Sequence, residues 1–418
     1  MASNPVWPFT PSQGVEGYIN NPTWTDEPAS ANRHHPCGYW PIIPTPTEPI
    51  LKDYGPLYAA GDNGDFQLGF GSAYPYQTIF LQSDTTDLFT KTQVSYENTF
   101  ALTESGTLWC VGGNSKGQLG LGDNVTREVW TQVPGEWIDF ACSPYVYFTL
   151  AVKSDGTLWA SGHNNYGQLG LGDEVDRNVF TQVGTSNAWA KVACGSFYSM
   201  AIKVDGSLHA TGNGNAGATG LGYGNGKEDT FTHVSSVTKV EKVTCGYYST
   251  AVIREGGSLW VTGGNFNGQQ GMGDKLSRSI FTKVESAGSG ILDLCMGSNS
   301  NHISGGVLFI IKSDRTLWAA GSNLNNIMGI ADTSDKLTFT QLVGTGWLVV
   351  NSKNNSVLGV REGGSLWGCG KNSLGELGLG DQDPRTEWEH VGVSFWLYIS
   401  CGNSASMGVQ WDGEYIWQ

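Results

Sequence analysis

A chain that repeats itself about every fifty residues has few folds open to it, and this one repeats closely. Residues 117–133 read GQLGLGDNVTREVWTQV and residues 167–183 read GQLGLGDEVDRNVFTQV, identical at 13 of 17 positions. A leucine-aromatic pair marks the period along the 418 residues: Leu57-Tyr58, Leu108-Trp109, Leu158-Trp159, Leu208-His209, Leu259-Trp260, Leu317-Trp318, Leu366-Trp367 and Ile416-Trp417. Successive pairs stand 49 to 51 residues apart, with one step of 58. Each unit is then one supersecondary module, which buries its apolar face against copies of itself.

Strands and turns fill the unit. A stretch such as WAKVACG precedes SFYSMAIKVDGSLH, and a segment such as GGNSKGQLGLGD follows. The alternation in SMAIKV predicts a half-buried strand. Asp155-Gly156, Asp205-Gly206, Gly256-Gly257, Gly363-Gly364 and Asp412-Gly413 predict two-residue hairpin turns, since Gly accepts positive φ. The sixth unit has Asp314-Arg315 there, so Arg315 takes a strained turn or the turn type differs.

Seven glycine-rich segments begin near Gly61, Gly112, Gly162, Gly212, Gly263, Gly321 and Gly370. Seven hairpins accompany them, from one starting near Val94 to one spanning Cys401 to Trp417. The chain enters part-way through a unit, and its last strands complete it. The predicted fold is all-β: a seven-bladed β-propeller over residues 51–418, closed by sharing one blade between the two ends of the repeat region. Eight leucine-aromatic pairs for seven units leave open whether Tyr58 or Trp417 takes the standard place.

Composition narrows the function. A net charge of -15 opposes binding to nucleic acid, which rests on cations that neutralise phosphates. No 18-residue apolar run predicts a membrane span, and no basic-then-apolar leader predicts secretion, so folding in the cytoplasm is expected. Cys142, Cys194, Cys245, Cys295 and Cys401 share one place in the unit, a whole blade apart, which predicts buried free thiols rather than disulfides.

The pattern W-x-x-V-x-C-G, A-[IV]-K-x-D-G-[ST]-L-W, G-x-N-x-x-G-Q-L-G-L-G-D resembles the repeats of the regulator of chromosome condensation, whose propeller has seven blades of about fifty residues. The wording R-x-x-F-T-Q-V after the glycine segment is most similar to bacterial and phage versions. The namesake implies exchange-factor activity on a small GTPase, but that role depends on a wedge and basic segments outside the repeat skeleton. Here the one insertion, within NSNHISGGVLF, is uncharged apart from His302. A plant ultraviolet photoreceptor in the family carries Gly-Trp-Arg-His-Thr segments; the matching places here read GSFYS and GYYST.

Other motifs reduce to scaffold. The G-x-G-x-x-G at Gly212, Gly214 and Gly217 lacks the following Lys-Ser/Thr and stands where neighbours read GGNSKG and GHNNYG, so no nucleotide cofactor is expected. Asp123, Asp173, Asp274 and Asp381 read as turn caps in preference to cation ligands. No nucleophile, base and orienting acid stand together, so no catalytic residue and no enzyme are expected. His34-His35-Pro36-Cys37 offers three soft ligands where a metal wants about four, so no metal is expected. Two Trp sets recur with the repeat: Trp109, Trp159, Trp260, Trp318 and Trp367 after the Leu, and Trp137, Trp189, Trp347 and Trp396 ahead of the Cys place. Both, with His209 in a Trp place, predict packing between blades.

Residues 1–50 hold ten of the fifteen Pro and no period, which predicts an extended N-terminal arm. Trp7, Tyr18, Trp24, Tyr39 and Trp40 are its expected anchors. The tips of the glycine segments vary between units at Lys116, Tyr166, Ala216, Asn267 and Leu374; with His302 they are the expected binding face. The whole reads as a structural, protein-interaction module of a multi-subunit assembly, in its narrowest form a virion component such as a capsid decoration or tail protein. The alternatives are a regulatory or catalytic propeller, exchange-factor-like or lyase-like, and a monomeric adhesin or inhibitor. Charged groups with shifted pKa values meeting in the central channel would favour the first alternative.

Overall fold

A computed structural model describes residues 50–51, 54–71, 74–298, 306–330, 332–392, 394–411 and 415–416. Seven four-stranded antiparallel sheets, the blades of a propeller, hold nearly all the described strands. Blades one to six cover residues 89–133, 137–182, 189–233, 240–283, 291–341 and 347–390. Blade seven takes its two inner strands, Trp396–Cys401 and Ala405–Gln410, from the end of the chain. Its two outer strands, Leu57–Asp62 and Tyr76–Gln82, come from residues 57–82.

Leu57-Tyr58 therefore holds the standard place, with Leu57 opposite Val409. The expected last hairpin, Cys401 to Trp417, is corrected. Its first two strands form, but the free edge of Ala405–Gln410 is taken by Leu57–Asp62. Tyr415–Ile416 pairs instead with Ile50–Leu51 in a separate two-stranded ribbon. Trp417 and the Asp412-Gly413 turn lie outside the described residues, as does the whole arm up to residue 49, with Trp7, Tyr18, Trp24, Tyr39 and Trp40.

The hairpin turns also differ from expectation. Gly156 donates to the Lys153 carbonyl and Lys153 to that of Thr157, which makes a three-residue loop. Within Asp155-Gly156 only Gly156 is left-handed, at φ 79°. Asp155 serves another purpose: its carboxylate accepts from the Thr157 amide at 2.9 Å and hydroxyl at 2.6 Å. Arg315 stands in the left-handed place of its loop at φ 60°, so of the two readings offered for Asp314-Arg315 the strained one holds.

The glycine segments are latches between blades. Gly122 donates its amide to Asn178 in the outermost strand of the next blade, Gly172 to Asp229, Gly222 to Ser279, Gly273 to Leu337 and Gly380 to Thr78, all at 2.7–2.9 Å. The residue before each of these glycines, Leu or once Met272, forms a β-bridge beside that bond, as Leu121 does with Val179 and Leu379 with Ile79. A Cβ on Gly120 (φ 70°) would stand 2.2 Å from the Phe180 ring of the neighbouring blade. A close approach and a left-handed φ together leave room for glycine alone.

Apolar clusters fill the seams. Trp137 and Phe140 of blade two pack with Phe100, Leu108, Leu119 and Val133 of blade one. Trp189 of blade three packs on Leu150, Leu158 and Val183 of blade two. His209 stands edge-on to Trp189 at 5.2 Å, a packing contact within blade three rather than between blades.

The seven described cysteines are buried and unpaired with one another. One register expectation is corrected. Met296, opposite Leu308, holds the place that Cys245 holds opposite Thr250, so Cys295 stands one residue earlier.

Candidate functional site

Each strand order runs from the channel outward, so the turns after the innermost strands and the glycine segments come out on one face. Lys116, Tyr166, Ala216, Asn267 and Leu374 all sit there. So does the insertion of blade five, whose ends at Ser298 and Gly306 pair directly, although His302 lies outside the described residues.

Four of the five tips share one geometry. The amides of Lys116, Tyr166 and Asn267 donate to the side-chain oxygens of Gln118, Gln168 and Gln269, and Leu374 to Glu376, at 2.8–3.0 Å. Ala216 differs, with a left-handed φ of 55° and Ala218 where the others have Gln or Glu. Their side chains reach across blades: Lys116 to Asp176 at 3.8 Å, and Asn267 to Asp335 at 2.9 Å. Asp123, Asp274 and Asp381 cap their segments as expected. Each accepts from an amide two residues on and binds the Arg four residues on, at 2.6–2.8 Å. Those Arg contacts hold the three carboxyls below their usual range. Asp173 repeats the arrangement with Val175 and Arg177.

Between the tips and the channel lies an aromatic crescent that no motif announced. Tyr166 meets Phe197 at 4.9 Å, Phe197 meets Tyr247 at 6.2 Å, and Tyr247 meets Tyr145 at 5.1 Å and Tyr248 at 4.5 Å. Tyr96 stacks edge-on to Tyr147 at 6.2 Å, and the Tyr147 hydroxyl donates to Glu97. These residues come from blades one to four. In the sequence all but the tip residue Tyr166 stand in the strings SYEN, PYVYF, SFYS and GYYS that follow the innermost strands, and that shared offset was the available signal.

The channel itself encloses about 190 Å³, lined by all seven innermost strands. Charged groups do meet along it. Lys91 donates to Asp139 at 2.6 Å and to the Phe140 carbonyl at 2.7 Å, and Lys242 pairs with Asp293 at 2.9 Å. Lys353 differs. It is 9% exposed, its ammonium stands 4.6 Å from the centre of the Tyr145 ring, and among the described residues it has no ion-pair partner. Burial draws it down to about 8, while burial pushes the nearby thiols of Cys245, Cys295 and Cys401 up to about 12. Thiols so raised are poor nucleophiles. Among the described residues no three His, Cys, Asp or Glu gather as for a metal, and no helix is long and apolar enough to cross a membrane.

Two family models of the regulator of chromosome condensation (RCC1) repeat match, one at residues 155–202 and one at 89–118, 137–168 and 240–269. The chain is an RCC1-like repeat propeller. Mouse X-linked retinitis pigmentosa GTPase regulator is 34% identical over 97 residues, 21% of this chain and 10% of that protein, so the match spans about a tenth of the relative. Yeast RCC1 (Prp20), solved bound to Kap60, superposes with a TM-score of 0.75 at 17% identity, over 87% of this chain and 91% of that one. Prp20p from Saccharomyces cerevisiae, in a structure reported with its binding to Gsp1p and histones, gives 0.74 at 16% over 87% and 93%. At such identities the RCC1-like likeness is one of fold, and the propeller is suited to protein interaction.

Proposed function

We propose that the face carrying the aromatic crescent binds another protein, and that Tyr145, Tyr166, Phe197, Tyr247 and Tyr248 form the centre of the contact. One observation carries this reading. Ring after ring packs along the face, Tyr145 and Phe197 resting half-buried on the apolar core beneath, with Tyr166 and Tyr96 each 38% exposed. Clustered tyrosines of low conformational entropy are the usual anchors of protein interfaces. The glycine-segment tips flank the crescent, and the Asp-Arg caps hold them rigid.

The assembly reading belongs with this one: residues 1–50, with their aromatic anchors, fix the propeller within a larger complex. Its narrowest form, a virion component of bacterial or phage type, rests on the wording of the repeats. A second reading, a regulatory propeller of exchange-factor type, draws support from the charges in the channel and from the likeness to yeast RCC1.

The test is a pull-down from source extract with the native chain and a Tyr145→Ser, Phe197→Ser, Tyr247→Ser variant. A protein retained by the native chain and lost by the folded variant supports the crescent. Equal retention by both overturns it.

A further inference from the structure

The innermost strands share a register up to the Cys-type place, and comparing the residue that follows it isolates one position. The place directly after the Cys-type position is Ser95, Ser143, Gly195, Gly246, Gly297 and Gly402 in six blades, and Lys353 in blade six. Six blades build this turn with no side chain or a hydroxymethyl. Blade closure therefore does not call for a lysine.

A buried ammonium without a counter-charge disfavours the folded state, and such groups gather at functional sites. The groups that face Lys353 are the Tyr145 ring of blade two and the thiols of Cys245, Cys295 and Cys401 from blades four, five and seven. The three thiols, pushed up to about 12 by burial, carry no charge near pH 7. The channel lysines Lys91 and Lys242 are each answered by a carboxylate of the next blade, Asp139 and Asp293. Lys353 also lines the channel cavity of about 190 Å³, beside Asn351 and Ser352.

We propose that Lys353 and the channel volume beside it bind a small monocarboxylate, whose single charge is shared over two acceptor oxygens and matches one ammonium. The site shares the Tyr145 ring with the protein-binding face, but its test alters Lys353 alone, so it survives or fails independently of that reading.

The probe is acetate. Thermal unfolding of the full chain is followed in acetate and in chloride at equal ionic strength, for the native protein and for Lys353→Ser and Lys353→Gly, the residues that other blades use here. A bound anion raises the native midpoint with concentration by mass action. The expected result is a saturable rise of a few degrees for native protein in acetate over chloride, absent in both variants. The variants are also expected to unfold at higher temperature than the native chain in chloride. An equal response of native and variant, no native response, or variants less stable than native in chloride would each overturn the proposal.

Discussion

Gly380 donates its amide to the carbonyl of Thr78 at 2.7 Å, and so fastens the glycine segment of blade six onto the outermost strand of blade seven. That strand lies near the start of the described chain, while its blade's inner strands lie at the end. One latch among several equals thus completes the ring. A chain begun at residue 84 loses both outer strands of blade seven and the Ile79–Leu379 bridge. It is expected to lose cooperative unfolding and to aggregate, read by circular dichroism and size exclusion.

Two glycines of very different cost share one segment. Gly120→Ala puts a Cβ into the Phe180 ring at a φ of 70°, whereas Gly122→Ala at φ 92° meets nothing within 4 Å. Gly120→Ala is expected to cost about 3 kcal/mol or more, and Gly122→Ala about 1 kcal/mol from backbone strain alone. Urea unfolding measures both. Similar costs would show that strain, not the seam, makes these positions glycine.

Arg315 is left-handed where blades two and three place Gly156 and Gly206. Arg315→Gly is expected to stabilise the protein by about 1 kcal/mol, seen as a higher urea midpoint at unchanged slope.

Lys353 ties stability to alkaline pH. Its folded value of about 8 lies below the ordinary lysine value, 10.5. Between the two the unfolded chain binds more protons, so this residue makes stability rise with pH across that window. The penalty is full below about pH 8 and gone above the ordinary value. Comparing native protein with Lys353→Ser from pH 7 to 11 should show the variant more stable at the low end, by on the order of 3 kcal/mol, and the difference closing toward the high end.

Acid acts on the caps in the opposite sense. Asp123, Asp274 and Asp381 are held low by Arg127, Arg278 and Arg385. Their contribution is present above the ordinary carboxyl range and lost as pH falls through the lowered values. Exposure keeps each pair below about 1 kcal/mol. Arg127→Gln, Arg278→Gln and Arg385→Gln together should lower the midpoint at pH 7 and narrow the gap to native protein near pH 2.

What the chain determined by itself is everything that repeats. The fifty-residue period, the glycine segments, the Asp caps and the Trp ahead of the Cys place are local requirements of turn, cap and seam, met anew in each blade, so one reading of the unit yields seven blades and their shared closure. The Asp155-Gly156 and Asp205-Gly206 hairpins were placed correctly; their three-residue geometry differed, as where Asp155 caps its own turn and leaves the left-handed residue to Gly156. The exceptions were decided by tertiary structure. Only in the closed ring does Leu57–Asp62 compete for the edge of Ala405–Gln410 and exclude Tyr415–Ile416. Only there do Tyr145, Phe197 and Tyr247, about fifty residues apart, become one surface, and only there is Lys353 enclosed by thiols from three other blades. The physical reason is that a repeat constrains each residue to its neighbours within the unit, while solvation and charge at the axis depend on all seven units meeting at once.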